Sequence, residues 1–215
     1  MKYKRGFRML TLGWSDGNSF IPVNHCLLSA ADDKNLLCNA ENFDGRSLAG
    51  KRRKQSRRKA TEVMVDLIKT AQQSGLTAKY VLFDSWFTSP KTIVTLKQER
   101  KLDIIAMVKK SSKVKYAYQG EMLDIKKIYS KNKKRRGRSK YLLSIEVTVG
   151  KEAIPAKIVC VRNKSKKKDC LDDVLYELRT VGFDTFPFLC GSDTFIGDRF
   201  AWLLPPCFST GTPNI

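Results

Sequence analysis

Long apolar runs are missing from this chain of 215 residues: nothing approaches the roughly 20 consecutive apolar residues that carry a helix across a bilayer, so an integral membrane protein is excluded. Histidine is almost absent, with His25 the one instance, and none of the six cysteines (26, 38, 160, 170, 190 and 207) forms a C-x-x-C pair. A zinc finger or ribbon, which needs closely spaced sulfur and imidazole ligands, is therefore not expected. Scattered cysteines of this kind are read as small buried hydrophobes or inert thiols. His25 stands in the apolar run Ile21–Leu28 and is read as a strand residue rather than a catalyst. Met1–Gly6 passes straight into a strand-like stretch with no apolar signal core, so a cytoplasmic protein is expected. Acids are scarce too, 21 against 41 Lys and Arg, for a formal charge of +20.

What is present is a folded composition, 42% hydrophobic and 10% aromatic, too rich for a disordered basic tail. A strongly basic folded domain attracts a polyanion, and nucleic acid is the default one. The surplus is clustered. Arg46, Lys51, Arg52, Arg53, Lys54, Arg57, Arg58 and Lys59 follow one another with no acid between them. A second acid-free cluster runs from Lys126 to Lys140 and contains Lys133, Lys134, Arg135, Arg136 and Arg138; a third is Lys164 with Lys166–Lys168. Charge runs are commonly solvated faces. Three in one domain favour phosphate contact, which positions a protein on nucleic acid without specifying a sequence.

The order of elements points to an α/β class. Phe7–Trp14 and residues 19–29 read as strands joined at Ser15-Asp16-Gly17-Asn18, a hairpin turn in which Asp16 is a turn residue. After a polar loop, Ala30–Gly50, the residues Ala60, Val63, Met64, Leu67, Ile68 and Ala71 form one apolar helical stripe, with Gly75 as its stop. Tyr80–Phe83 is a short unbroken apolar run, a strand buried on both faces. Ser89 and Pro90 open a helix to about Arg100, and Ile104–Val108 is the next buried strand. Strand, helix, strand at this spacing is a βαβ unit, so the sheet is at least partly parallel. Beyond it, Val114–Tyr118 reads as strand, Leu123–Tyr129 as a short helix, and Tyr141–Val149 with Ile154–Arg162 as a long hairpin. From Cys170 onward the stretches Phe183–Phe188 and Trp202–Pro206 are apolar but have no helical or strand period, and no element is expected there.

Asp84 follows the buried run Tyr80–Phe83, at the strand end where ligand and metal sites of α/β sheets gather. A metal ligand and a simple cap of the following turn account for it equally well. Trp86 and Phe87 invite two readings, stacking on an unpaired base or packing beneath the loop, and packing is the expectation. Lys109, Lys110 and Lys113 reach DNA or form a solvated loop.

The stretch Lys4–Val23, containing Gly6-Phe7-Arg8 and Asp16-Gly17, resembles the second and third strands of bacterial insertion-sequence transposases of the DDE type. The basic helix followed by Tyr80-Val81-Leu82-Phe83-Asp84-Ser85-Trp86-Phe87 is similar to the same family, and the resemblance extends over about residues 4 to 169. It implies a ribonuclease-H-like mixed sheet with flanking helices, incomplete at both ends. Residues 1–109 would be a partial catalytic core, 110–168 a β-rich basic insertion, and 169–215 a divergent, poorly ordered tail. It further implies three carboxylates holding two Mg2+ ions about 3.5–4 Å apart for cleavage and strand transfer of DNA. It implies transposon ends and target DNA as partners, a homodimer of the full-length enzyme, and a bacterial, nucleoid-associated location.

Only the second acidic position has a match here, Asp84, whose role would be metal coordination. The first acid belongs on a central strand upstream of the hairpin, and its loss would expose an apolar edge with unpaired backbone groups. The third, a glutamate on a late helix, has no counterpart; Glu177, in Leu175–Arg179, lacks that helix's tryptophan and aromatic pair. A frameshift near Lys168 would explain the tail, and translation of the other reading frames tests it. The expectation is thus a transposase fragment, inactive alone, that binds DNA through Arg52, Arg53, Lys54, Arg57, Arg58, Lys133, Lys134, Arg135, Arg136 and Arg138. A non-catalytic nucleic-acid-binding domain and a nuclease outside transposition are the alternatives.

Overall fold

A computed structural model describes residues 7–36, 43–132, 141–162, 175–180 and 200–209. Among them ten strands join in one mixed sheet, flanked by four helices. The strands are β1 (Phe7–Ser15), β2 (Phe20–Leu28), β3 (Tyr80–Phe83), β4 (Asp103–Met107), β5 (Tyr116–Tyr118), β6 (Glu121–Leu123), β7 (Tyr141–Val149), β8 (Ile154–Val161), β9 (Leu175–Arg179) and β10 (Phe200–Ser209). The helices are α1 (Leu48–Ser56), α2 (Ala60–Gln73), α3 (Pro90–Gln98) and α4 (Ile125–Lys131). Strand order is β2-β1-β10-β3-β4-β9-β8-β7-β5-β6. The β-rich segment thus continues the same sheet through β9, which pairs antiparallel with both β4 and β8.

The hairpin β1–β2 forms because Asp16 closes its turn: its Oδ1 accepts from the backbone N–H of Ser19 at 2.7 Å and of Asn18 at 3.0 Å. Gly17 supplies the positive φ of 94° that the turn requires. Helix α2 buries the stripe expected of it, with Val63, Met64, Leu67 and Ile68 against β1 and β2. Each such side chain contributes about 1.5–3 kcal/mol by leaving water. β3 is buried at all four positions and lies parallel to β4, as a βαβ unit through α3 demands. Ser89 caps α3 through Thr92 N at 3.2 Å, with Pro90 at the first helical position. The helix ends at Gln98, short of Arg100, and Lys101 then turns the chain with a φ of 56°. Cys26 and Cys160 are buried, as expected of small apolar residues.

Besides β9, a strand in the tail for which the sequence reading gives no element, three elements depart from that reading. Gln119 and Gly120, with φ of 51° and 81°, make a tight turn between β5 and β6, so Leu123 ends a strand and α4 begins after its cap, Asp124. The polar loop gives way at Leu48 to helix α1, capped by Ser47, whose Oγ accepts from Gly50 N at 3.0 Å. This helix has no apolar stripe to betray it.

The third departure is the largest. Trp202–Pro206 was expected to hold no element, yet it lies within β10, between β1 and β3. β10 runs antiparallel to β1 and parallel to β3, where Phe200, Ala201 and Trp202 face Tyr80, Val81 and Leu82. The expected exposed edge is therefore corrected: a strand from the far end of the chain fills the central position. Pro205 and Pro206 fit because the register slips there. Met9 faces Cys207 and Thr11 faces Leu204, so two prolines stand opposite Leu10 at a bulge, where missing N–H groups interrupt no regular ladder. They also lie past the short pairing with β3.

Candidate active-site turn and basic surface

Asp84 leaves β3 at its C-terminal end and folds back on the residues that follow. Its Oδ1 accepts from the backbone N–H of Trp86. Its carbonyl accepts from Phe87 N at 3.2 Å. Thr88 ties this turn to the next strand, with Oγ1 2.7 Å from Met107 O and 3.2 Å from Asp84 O. Phe87 and Thr88 are buried, at 3% and 1% exposure, whereas Trp86 is 73% exposed. The packing expected for both aromatics holds for Phe87 and is corrected for Trp86. Alternation around a tight turn sends the two rings in opposite directions.

The sheet register locates Asp16 and Glu177, the two other acids weighed in the sequence, relative to Asp84. Ser15 faces Phe200, which faces Tyr80, so Asp16 lies at the opposite end of the sheet from Asp84. Hydrogen bonds from Ser19 and Asn18 hold its carboxyl below the ordinary value of 3.8, as befits a turn residue. β10 pairs with β3 over Phe200–Trp202, and neither β1, β2 nor β10 contains an acid. Glu177 stands opposite Met107 on β9, with β4 between it and β3. At the usual strand spacing its backbone is about 9–10 Å from that of Asp84. Among the described residues no three His, Cys, Asp or Glu side chains are grouped to hold a metal ion. A pair of divalent cations crowded together needs several convergent carboxylates, so the residues described do not fit that group.

The first basic cluster is mostly helical, and its members divide by what they touch. Arg52 donates to His25 O at 2.8 Å and Asn24 Oδ1 at 3.2 Å, clamping α1 onto β2. Arg57 bonds Ala31 O at 2.8 Å and pairs with Asp33 at 2.5 Å. Arg58 pairs with Glu62 and Asp66 on α2. Arg53 lies 5.4 Å over the Phe43 ring. Lys51, Lys54 and Lys59 are exposed and make no ion pair among the described residues. His25, Cys26, Leu27, Arg52, Arg53 and Ser56 line an open groove between β2 and α1. Burial beside that groove raises the Cys26 thiol above its ordinary range, which keeps it inert. Sequence reasoning missed that Arg52, Arg57 and Arg58 have intramolecular partners; the Ser47 cap was the available signal for the helix that orders them. Lys133, Lys134, Arg135, Arg136 and Arg138, and the cluster at 164–168, lie outside the described residues.

No helix among the described residues is long and apolar enough to cross a membrane. A family model described as DDE superfamily endonuclease matches residues 1–168. No curated protein and no solved structure matches the chain. The matched stretch takes in the hairpin, the basic helices, Asp84 and the β7–β8 hairpin, and ends at Lys168. The mixed α/β sheet, with an acid at the end of a buried parallel strand, is consistent with the ribonuclease-H-like architecture of such enzymes. The chain belongs to the DDE superfamily endonucleases, nucleases that act on DNA and generally use divalent metal ions.

Proposed function

We propose that this chain is a piece of a bacterial insertion-sequence DDE transposase that retains the DNA-binding surface and lacks strand-transfer activity on its own. The observation that supports it is the filled central position of the sheet. β10 supplies the strand but no carboxylate, and among the described residues Asp84 has no two further acids grouped with it to share a metal pair. Mg2+ belongs to the full-length enzyme, as does a homodimer joining two DNA ends. The end of the family match at Lys168 supports reading residues 169–215 as divergent in sequence. Within the matched stretch this reading takes 110–168 as the β-rich insertion on a core of 1–109.

DNA contact in this reading comes from the α1 face, through Arg52, Arg53, Lys54, Arg57 and Arg58 with Lys51 and Lys59, and from Lys133, Lys134, Arg135, Arg136 and Arg138. Each phosphate neutralised adds about −0.9 to the slope of log affinity against log salt on duplex DNA. The test uses the purified chain with duplexes carrying the DNA that flanks its own gene, in Mg2+ and in Mn2+. Salt-dependent binding without cleavage is expected. Metal-dependent cleavage abolished by Asp84→Ala would overturn the loss of activity, and no DNA binding at low salt would overturn the function. Neutralising Lys133, Lys134, Arg135 and Arg136 together is expected to flatten the salt slope; an unchanged slope removes that loop from the contact surface.

The groove and cation-bearing face of α1 favour a second reading, a non-catalytic nucleic-acid-binding domain that kept the basic surface of its family. A metal-dependent cleavage assay on a DNA hairpin separates an enzyme from a binding domain, and inverted repeats around the gene point to the transposase.

A further inference from the structure

The turn that holds Asp84 also presents an indole to solvent. Trp86 is 73% exposed, the second most exposed large apolar side chain among those described, after Leu48 at 76%. Its backbone is fixed on both sides: its N–H donates to Asp84 Oδ1, and Phe87 and Thr88 are anchored in the core. The ring thus stands on an ordered turn rather than on a loose loop.

The neighbouring loop brings charge to the same edge. β3 and β4 are parallel, with Phe83 opposite Ala106, so the chains leaving both strands emerge together. Thr88 Oγ1 joins the two exits by its bond to Met107 O. The segment after β4 contains Lys109, Lys110, Lys113 and Lys115, all exposed, and has no acid between Asp103 and Glu121. That loop is compact: Ser111 N donates to Lys109 O at 2.9 Å and Val114 N to Ser111 O at 3.1 Å. An exposed aromatic ring beside a cluster of ammonium groups is the combination that holds single-stranded nucleic acid, with a base stacked on the ring and phosphates on the cations. Duplex bases, already stacked, cannot use the ring.

We infer that the edge formed by Trp86, Lys109 and Lys113 is a binding site for single-stranded DNA, with one unpaired base stacked on the Trp86 indole. This site rests on the proposed DNA-binding function and refines it, because it adds a preference for unpaired over paired strands that the basic surface alone does not confer.

The test titrates the full chain with a short oligothymidine strand and, separately, with a mixed-sequence duplex of matched length. Tryptophan emission and affinity are followed for the native chain, Trp86→Ala and Trp86→Phe. Trp14 and Trp202 give the background emission, which the Trp86→Phe protein measures directly. Stacking predicts quenching by the single strand in the native chain alone. It also predicts single-strand binding roughly five- to a hundredfold weaker in Trp86→Ala, with most of it restored in Trp86→Phe and duplex binding unchanged. Replacing Lys109 and Lys113 with glutamine is expected to lower the single-strand salt slope. If Trp86→Ala binds the single strand as the native chain does and no Trp86 quenching occurs, the site is refuted while DNA binding stands. If the native chain binds neither probe at low salt, the proposed function falls and the site with it.

Discussion

Thr88 holds together the two strand exits on which the candidate site is built. Its hydroxyl is buried, 2.7 Å from Met107 O. Thr88→Val keeps the shape and removes the donor, so the turn loses its bond to Met107 O at a cost of about 0.5–1.5 kcal/mol. Urea denaturation is expected to show that loss, with Thr88→Ser close to the native chain; equal stability of all three proteins would detach the turn from β4. Gly50 is a second such residue, because a Cβ there would sit 2.1 Å from Asp44 O. Gly50→Ala is therefore expected to unseat the start of α1, seen as lower helicity and lower Tm. Asp16 carries a pH dependence whose sign follows from its hydrogen bonds. Its folded pKa lies below 3.8, so its contribution is present above that value and fades as pH falls through the folded pKa. Asp16→Ala is expected to lower Tm at neutral pH and to make the acid limb of stability less steep. Asp84, Phe87 and Ser89 were legible at this scale, because a strand end, a buried ring and a helix cap are local patterns. The exposure of Trp86 was not, since residue type alone cannot say which side of a turn faces water.

Among the elements, those with strong periodicity were read within a residue or two. α2 illustrates why: its stripe is both the sequence signal and the energetic reason it docks. Leu67→Ala, at a position 1% exposed, is expected to cost about 2–5 kcal/mol, measurable by equilibrium unfolding, and to spare the fold of β7–β8. α1 shows the opposite case. It is polar all round, and what holds it is the Ser47 cap and Arg52 reaching across to His25 O and Asn24. Helices of this kind are stabilised by particular contacts rather than by a face, and contacts with distant residues leave no period to read.

For the molecule as a whole, the decisive fact is that β1 pairs on one side with its sequence neighbour β2 and on the other with β10. A βαβ unit and two hairpins can be read from sequence because their partners are adjacent. The β1–β10 ladder cannot, and the paired prolines argued against any strand until the bulge opposite Leu10 accommodated them. Ending the chain after Thr180 removes β10 and opens the facing edges of β1 and β3. Such a protein is expected to aggregate, judged by sedimentation, and a peptide of residues 200–209 supplied during refolding is expected to restore a soluble fraction. A soluble, natively folded truncation would show that β10 is dispensable.

The place of β10 in the sheet also sets a timetable. During translation every other described element leaves the ribosome before the strand that must lie between β1 and β3. The hairpin, all four helices and the whole β-rich extension can form while the middle of the sheet still waits. For that interval the nascent chain presents two apolar strand edges to whatever is nearby. Its yield in a cell should depend on chaperone supply and on how fast the codons for β10 are translated more than on the strength of the finished fold.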